Sequence, residues 1–174
     1  MTIKVIITEP NKILRQVSQP VPKVTKQEQL LMDDMLETMY HANGIGLAAI
    51  QIGVPKRIIV MDISKKEEKK NPMYFVNPVI KTKNKNLSTY EEGCLSVPDQ
   101  FAEVERPSTC EIEYLDYNGE KRFIKANGLL ATCIQHEMDH LEGILFIDYL
   151  SKLKKSMIIK KLTKQRKSSE ALVI

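Results

Sequence analysis

The feature that most constrains this chain is the run H-E-M-D-H at residues 136–140, an H-E-x-x-H pattern with helical flanks. Residues four apart lie one turn above each other on an α-helix, so both imidazoles can point at a single ion. The glutamate between them can activate a water molecule beside that ion. A core helix seldom buries two histidines and two carboxylates without a function. The run therefore predicts a metal site on a helix that ends near Gly143.

Length and composition limit the class of protein. The chain has 174 residues, of which 43% are hydrophobic, which suits one compact domain. No apolar run is long enough to span a bilayer, and the first residues lack the basic lead and long apolar stretch of a signal peptide. The three cysteines, Cys94, Cys110 and Cys133, cannot all pair, so no disulfide framework is expected. These observations predict a cytoplasmic protein with no membrane partner.

The formal charge of +4 is concentrated near the C-terminus. Eight of the 26 Lys and Arg lie between Tyr149 and Ser169 with no acid among them, so the rest of the chain has 18 basic against 22 acidic residues. Apolar residues recur there at helical spacing: Leu150, Leu153, Met157, Ile158 and Leu162. We therefore predict a basic amphipathic helix and tail over 151–174, packed on a main domain of residues 1–150. Its basic face is expected either to be solvated or to contact RNA or another anionic surface, such as that of the ribosome; no DNA partner is expected.

The remaining pattern predicts an α+β domain. Apolar spacing between Lys26 and Ala42 indicates an amphipathic helix that ends at Asn43-Gly44. Segments 57–61, 74–76, 110–114 and 122–124 are predicted as strands, with a hairpin turn at Asn118-Gly119. Charged loops are expected at 65–70 and 81–86. The H-E-x-x-H helix should be central, because its neighbours in sequence are apolar on several sides.

Two histidines need a third protein ligand, because a catalytic site of this kind has three ligands and one open position. The downstream position that metzincins use is Phe146 here, which cannot bind a metal. No acid beyond His140 is suitably placed; Glu142 is too close in sequence to converge and Glu170 lies far along the tail. The third ligand is therefore expected upstream.

Three residues remain as candidates for that ligand: His41, Cys133 and Cys94. Cys133 lies seven residues before His140, about 10 Å along a helix, and its side chain is short. It shares a face with His136, so it is expected to line the pocket instead. His41 sits at a helix end, a position more typical of a surface residue. Cys94 follows Gly93 in a turn-like segment where the backbone can approach closely, and we select it.

Residues 44–49, G-I-G-L-A-A, match the dinucleotide fingerprint letter for letter. That fingerprint needs a preceding strand and a following helix, whereas here a helix precedes and a strand follows. The loop is better interpreted as exposed backbone along which an extended substrate pairs as an added strand. Gln51, just beyond it, offers an amide donor for a developing oxyanion.

Three segments together resemble the motifs of the peptide deformylase family: residues 44–51 (GIGLAAIQ), 92–96 (EGCLS) and 135–140 (QHEMDH). The resemblance runs from about Val5 to Leu150. It implies a deformylase-like α+β fold, with antiparallel or mixed sheets around the H-E-x-x-H helix and a further C-terminal helix. It also implies hydrolysis of the N-terminal formyl group of nascent formyl-methionyl polypeptides during protein synthesis, with release of formate. One Fe²⁺ per chain is implied, for which Zn²⁺, Ni²⁺ or Co²⁺ can substitute.

The resemblance also assigns roles to single residues. Cys94, His136 and His140 match the metal ligands, with water in the fourth place. Glu137 would take the proton of that water and pass it to the leaving amine. Gln51 and the backbone N–H of Leu95 would hold the oxyanion, and Ile45 and Gly46 would hydrogen-bond the peptide backbone.

Helix geometry predicts the pocket for the methionine side chain. Leu129, Thr132 and Cys133 lie seven, four and three residues before His136, on one helix face. With Ile45 and Tyr90 they would enclose an unbranched side chain, and Thr132 makes this wall more polar than an aliphatic one. An ion pair between Glu92 and Arg106 is expected to steady the Cys94 turn.

Two other functions compete with deformylation. A zinc endopeptidase is suggested by H-E-x-x-H alone, although the downstream ligand is missing. A non-enzymatic module, with a structural metal and an RNA-binding terminal helix, would require a closed site of four protein ligands.

Overall fold

The computed structural model describes residues 2–65 and 68–171. Three α-helices lie within them: α1 (Lys26–His41), α2 (Gly128–Leu141) and α3 (Lys152–Ala171). The strands are β1 (Gly46–Ala48), β2 (Ile58–Met61), β3 (Met73–Lys83), β4 (Leu87–Cys94), β5 (Val97–Pro107), β6 (Thr109–Leu115) and β7 (Lys121–Asn127). The predicted α+β class is confirmed. In the described part of the chain, no helix combines the length and apolarity needed to cross a membrane.

The strands form two antiparallel sheets. The larger has the order β1-β2-β3-β6-β7, and β4 pairs only with β5. Because successive side chains of a strand point to opposite faces, β2 contributes side chains to the core on both sides of the larger sheet. Ile59 and Met61 pack in the cluster that contains α2, whereas Ile58 and Val60 pack with the methionines of α1. The larger sheet therefore lies between α1 and α2.

Helix α1 matches its predicted position, and its start is fixed by a capping box. The Thr25 hydroxyl accepts from the N–H of Gln27, and Glu28 accepts from the N–H of Thr25 at 3.0 Å. Lys56 Nζ lies 2.8 Å from the other oxygen of Glu28. The buried Glu28 thus joins the first turn of α1 to the segment that leads into β2.

Helix α2 is central, as predicted, and packs against strands of both sheets. Its residues from Ala131 to Glu137 are all buried, including the polar ones. Gly143 ends it with φ +71°, a conformation that side chains disfavour. A Cβ at Gly143 would also collide with the backbone of Arg15, so no other residue fits there.

Four predicted strands correspond to β2, β3, β6 and β7, and three details were wrong. Residues 46–48, which the sequence placed in a loop, form strand β1, and the 3₁₀ helix Ala49–Ile52 follows it. The charged segment 81–86 is not all loop, because β3 continues to Lys83 opposite Cys110. The hairpin of β4 and β5 was not predicted as strands. It contains few large apolar residues between its charged ones, so the alternation that indicates a strand is weak. Only Val97 and Val104 enter a core cluster, on the side that faces α3. Residues 66 and 67 of the other predicted loop lie outside the described residues.

Helix α3 packs on the body through only part of the predicted apolar stripe. Leu162 is buried and Ile158 and Ile159 are partly buried, but Leu153 and Met157 are 72% and 62% exposed. At 3.6 residues per turn, position 153 points about 180° away from position 162, so the predicted apolar stripe mixed two faces. Lys155 also pairs with Asp148 at 2.5 Å. The division at residue 150 stays a prediction, and residues 172–174 lie outside the described chain.

Candidate functional site

A cavity of about 510 Å³ opens between β1, the β4–β5 hairpin and α2. It brings together almost all of the residues that the sequence singled out. Its lining includes Ile45, Gly46, Gln51, Tyr90, Cys94, Leu95, Leu129, Thr132, Cys133, His136 and Glu137. The remaining one, His140, is buried at its edge, with Nε2 3.2 Å from Cys94 Sγ.

Cys94, His136 and His140 form a convergent set of donors. One ligand atom from each lies within 4.8 Å of the others. Ligands around one tetrahedral ion, at bond lengths of about 2.0–2.3 Å, lie roughly 3.3–3.8 Å apart, so small adjustments would close this triad around a cation. Burial lowers the pKa of His140 well below its ordinary value, whereas Cys94 and Glu92 raise the pKa of His136 well above it despite its burial, so a metal that binds here would displace a proton from His136. One sulfur and two imidazoles therefore fit a divalent transition metal.

The other two sequence candidates for the third ligand lie elsewhere. His41 is exposed at the end of α1. Cys133 is buried in the cavity wall, where burial raises the pKa of its thiol well above the ordinary value. A protonated thiol is a poor ligand, and the ligand atoms that converge among the described residues include Cys94 and not Cys133, so the geometry favours Cys94.

A buried ion-pair chain supports the histidines from behind. Glu92 Oε2 lies 2.8 Å from His136 Nδ1, and Arg106 reaches both oxygens of Glu92, at 2.6 and 3.0 Å. The same guanidinium lies 2.7 Å from Asp139, the residue before His140. The predicted pair of Glu92 and Arg106 is thus confirmed, but it orients His136 and α2 instead of the Cys94 turn. Hydrogen bonds from His136 and Arg106 lower the pKa of Glu92 despite its burial.

Glu137 stands beside this triad with one oxygen unused. Its Oε2 is buried and has no hydrogen-bond partner among the described residues. Its Oε1 occupies the space that a Cβ on Gly46 would need, so glycine is required at that point of β1. Burial raises the pKa of Glu137 to about 7. A carboxylate with such a pKa can accept a proton and return it near neutral pH.

Gln51 is held in one orientation by both ends of its amide. It lies in a short 3₁₀ helix, Ala49–Ile52, and its Oε1 accepts from the N–H of Ala48 at 2.8 Å. Its Nε2 donates to Ser96 Oγ at 3.0 Å and lies 3.6 Å from Cys94 Sγ. The amide donor therefore faces the triad. Leu95 forms the turn between β4 and β5, and its side chain packs against Gly44.

The outer part of the cavity combines backbone and apolar side chains. Strand β1 pairs with β2 and is an edge of its sheet, so its other side faces the cavity. Sequence reasoning did not single out several further lining residues: Ala42, Asn43, Glu91, Pro98, Asp99 and Phe101. Phe101, which is 68% exposed, packs on Gly93 across the hairpin. The pairing of β4 with β5 places Phe101 opposite Gly93, so Phe101 could have been identified only if that hairpin had been predicted.

Comparisons with known proteins match nearly the whole chain to a single family. The family model described as polypeptide deformylase matches residues 3–156. A peptide deformylase of Pelagibacter ubique (strain HTCC1062) is 77% identical over 164 residues, which cover 94% of this chain and 95% of that protein. The crystal structure of peptide deformylase from Ehrlichia chaffeensis in complex with actinonin superposes with a TM-score of 0.91 at 44% identity, covering 95% of this chain and 98% of that one. The Met-Ala-Ser-bound class I type b peptide deformylase from Acinetobacter baumannii has a TM-score of 0.82 at 32% identity, covering 86% and 99%.

Proposed function

Because this chain belongs to the polypeptide deformylase family, we propose that its cavity is the deformylase site, with Cys94, His136 and His140 as the metal ligands. Members of the family are metal-dependent hydrolases that remove N-formyl groups from nascent peptides, and this chain is such an enzyme. The observation that carries the site assignment is the convergence of three ligand atoms beside the buried carboxylate of Glu137. The endopeptidase alternative is not favoured.

For the metal we propose Fe²⁺, one ion per chain, with Zn²⁺, Ni²⁺ or Co²⁺ able to substitute. A thiolate with two imidazoles suits several of these ions, and three protein ligands leave one position open for solvent. When bound, such an ion supplies Lewis-acid chemistry, because it lowers the pKa of water and polarises a carbonyl oxygen.

Glu137 is proposed as the group that moves the proton. Its free oxygen and its raised pKa suit a base that takes a proton from water and then delivers it to the amine nitrogen of the departing peptide. Gln51 Nε2 and the backbone N–H of Leu95 are proposed to donate to the oxygen of the formyl group as negative charge develops there. The fixed amide of Gln51 supports this role, since a donor held in place needs no reorganisation during the reaction.

The substrate is proposed to bind as an added strand along Ile45 and Gly46. The edge position of β1 supports this arrangement. Tyr90, Leu129, Thr132 and Cys133 are proposed to enclose the methionine side chain beside the metal, together with Ile45. The Acinetobacter relative carries a peptide that begins with methionine, which supports the same class of ligand here.

A formate assay tests this function directly. The wild type should release formate from formyl-Met-Ala-Ser, and Glu137→Gln should release it about 10²-fold or more slowly while it retains its metal. The matched control is Glu142→Gln, because Glu142 lies just beyond α2 and pairs with Arg57 at the surface. Equal rates for wild type and Glu137→Gln would refute the assigned base.

We also propose that the basic face of α3 contacts the ribosome. The exposed lysines of this helix, with Leu153 and Met157 beside them, support binding to a surface rich in phosphate. Reversing Lys154, Lys160 and Lys164 to Glu should weaken co-sedimentation with ribosomes, whereas the same change at Lys85, Lys121 and Lys125 should not. Neither set should alter formate release from a short peptide. Co-sedimentation that does not change in the first set would rule out this contact.

A cytoplasmic setting completes the proposal. All three cysteines are free thiols, and a ligand role for Cys94 requires a reduced sulfur.

A further inference from the structure

The main chain of residues 7–9 joins two segments that border the cavity and lie far apart in the sequence. The N–H of Ile7 donates to the carbonyl of Gln51 at 2.7 Å, and the N–H of Glu9 donates to the carbonyl of Ser96 at 2.9 Å. Two residues of chain span at most about 7 Å, so these two carbonyls, which are 45 positions apart, are kept close together. We call residues 7–9 the N-terminal strap.

Both carbonyls belong to the segments that carry the proposed oxyanion donors. Gln51 supplies one donor, its amide Nε2, and its main chain lies in a 3₁₀ helix of only four residues, Ala49–Ile52. So short a helix holds its own shape weakly, because its last carbonyls have no partner inside it. Ser96 follows Leu95, whose N–H is the other donor, in the turn between β4 and β5. The strap therefore bonds to the main chain beside each donor.

Side-chain contacts complete a closed ring of bonds with the strap. Gln51 Nε2 donates to Ser96 Oγ at 3.0 Å, so side chains link the same two residues that the strap links through their carbonyls. Both residues are buried. The strap is itself held by the body, because the buried Glu9 pairs with Arg15, and Arg15 reaches Asp148 at 2.5 Å. A shift of the strap would therefore change the separation of the two donors.

We infer that the N-terminal strap sets the separation of the two oxyanion donors, and that Ile7 is a positioning residue for Gln51. This inference rests on the proposed roles of Gln51 and Leu95. A misplaced donor loses stabilisation of the charge that develops during the reaction, but it loses little binding of the uncharged substrate. Loss of the bond from Ile7 should therefore lower kcat and leave KM and the affinity for the metal almost unchanged.

The test removes the N–H of Ile7. Ile7→Pro should lower kcat for formyl-Met-Ala-Ser about 10-fold, which is less than the loss of roughly 10²-fold or more expected when an oxyanion donor is removed outright. Ile7→Ala keeps the N–H and should keep a kcat near that of the wild type. The matched control is Val5→Pro, because Val5 is 85% exposed and its N–H makes no hydrogen bond within the described residues. It should behave as the wild type.

A double-mutant cycle distinguishes positioning from a general loss of structure. If Ile7 acts through Gln51, Ile7→Pro should cost little further activity in Gln51→Ala, since the side chain that it positions is already absent. The same fractional loss in both backgrounds would overturn the inference. A kcat of Ile7→Pro equal to that of the wild type, or a loss that falls on KM or on metal affinity, would overturn it too.

A second variant covers the case in which Ile7→Pro does not fold. The α-hydroxy analogue of isoleucine at position 7 replaces the peptide N–H by an ester oxygen and keeps the side chain, so it removes the donor alone. A kcat of this ester protein equal to that of the wild type would overturn the inference while deformylation stands. Full activity of Gln51→Ala would contradict its proposed role as a donor and this inference together. No formate from the metal-loaded wild type would contradict the function as well.

Discussion

Glu92 Oε2 lies 2.8 Å from Nδ1 of His136, while Arg106 donates to both oxygens of the same carboxylate. This contact fixes the imidazole ring so that Nε2 is the nitrogen left to face Cys94 and His140. Arg106 also reaches Asp139 on the next turn of α2. One buried guanidinium therefore braces both turns of the helix that carry the histidines.

Glu92→Gln should weaken metal binding about 10- to 100-fold, the usual cost of losing a group that orients a metal ligand. The amide of the variant can still hydrogen-bond to the imidazole of His136, but it removes one of the two carboxylates that pair with the buried guanidinium of Arg106. Competition with a chelator measures the affinity of each variant. Glu103→Gln removes an exposed carboxylate on β5, and it should behave as the wild type. The same affinity in both variants would contradict the bracing role of Glu92.

Gly46→Ala should lower formate release by at least about 10-fold, since the added Cβ would meet the carboxylate of Glu137 and displace it from the position beside the triad. Gly44→Ala is the comparison, because its Cβ would meet only the tip of the flexible Leu95 side chain, at 2.7 Å. That tip can move, so the loss at Gly44 should be smaller. Equal activity of Gly46→Ala and wild type would show that catalysis does not require the carboxylate of Glu137 to lie against Gly46.

The residues that the sequence singled out lie around one cavity, because the patterns that mark them are short and local. The spacing of His136 and His140 follows from one helix turn, and the glycines at 44 and 46 mark close backbone approach. Cys94 could be selected by eliminating the alternatives, and the structure brings it within reach of both histidines. These inferences needed helix geometry and donor chemistry but no knowledge of distant contacts.

Features that depend on tertiary pairing were beyond the sequence. The β4–β5 hairpin carries charges on its exposed face, so its sequence lacks the apolar alternation that predicts strands. Because the hairpin was not predicted, the position of Phe101 in the cavity was not predicted either. The contact between Asp139 and Arg106 could not be predicted from the sequence, because the two residues are 33 positions apart. In α3, hydropathy alone could not say which apolar stripe faces the body, and Leu153 proved exposed.

Glu28 should make the stability of the protein sensitive to acid. Hydrogen bonds from Lys56 and Thr25 lower the pKa of its carboxyl from 4.5 to about 2. A group whose pKa is depressed in the folded state stabilises the protein above its unfolded pKa, and that contribution is lost as the pH falls through the folded one. Glu28→Gln keeps the cap but not the charge. It should be less stable than wild type at pH 7, by up to about 3 kcal/mol, since one pKa unit corresponds to about 1.4 kcal/mol, and the gap should close between pH 4.5 and 2.

Thermal unfolding at a series of pH values measures that gap. The control is Glu37→Gln, which removes an exposed carboxylate from the same helix and should change the unfolding temperature little. A gap between Glu28→Gln and wild type that stays constant from pH 7 to pH 3 would mean that the carboxyl of Glu28 has an ordinary pKa.

Air should inactivate the iron form of the enzyme through Cys94 rather than through the other cysteines. Burial raises the pKa values of Cys110 and Cys133, so both stay protonated and unreactive, whereas Cys94 lines the open cavity and serves as the proposed thiolate ligand. Fe²⁺ reacts with oxygen and Ni²⁺ does not, so the nickel form should keep its activity longer in air. Mass spectrometry of the inactivated iron form should find added oxygen on the peptide with Cys94. Equal lifetimes for the two forms, or oxidation at Cys133 first, would mean that the metal does not expose this sulfur to oxidation.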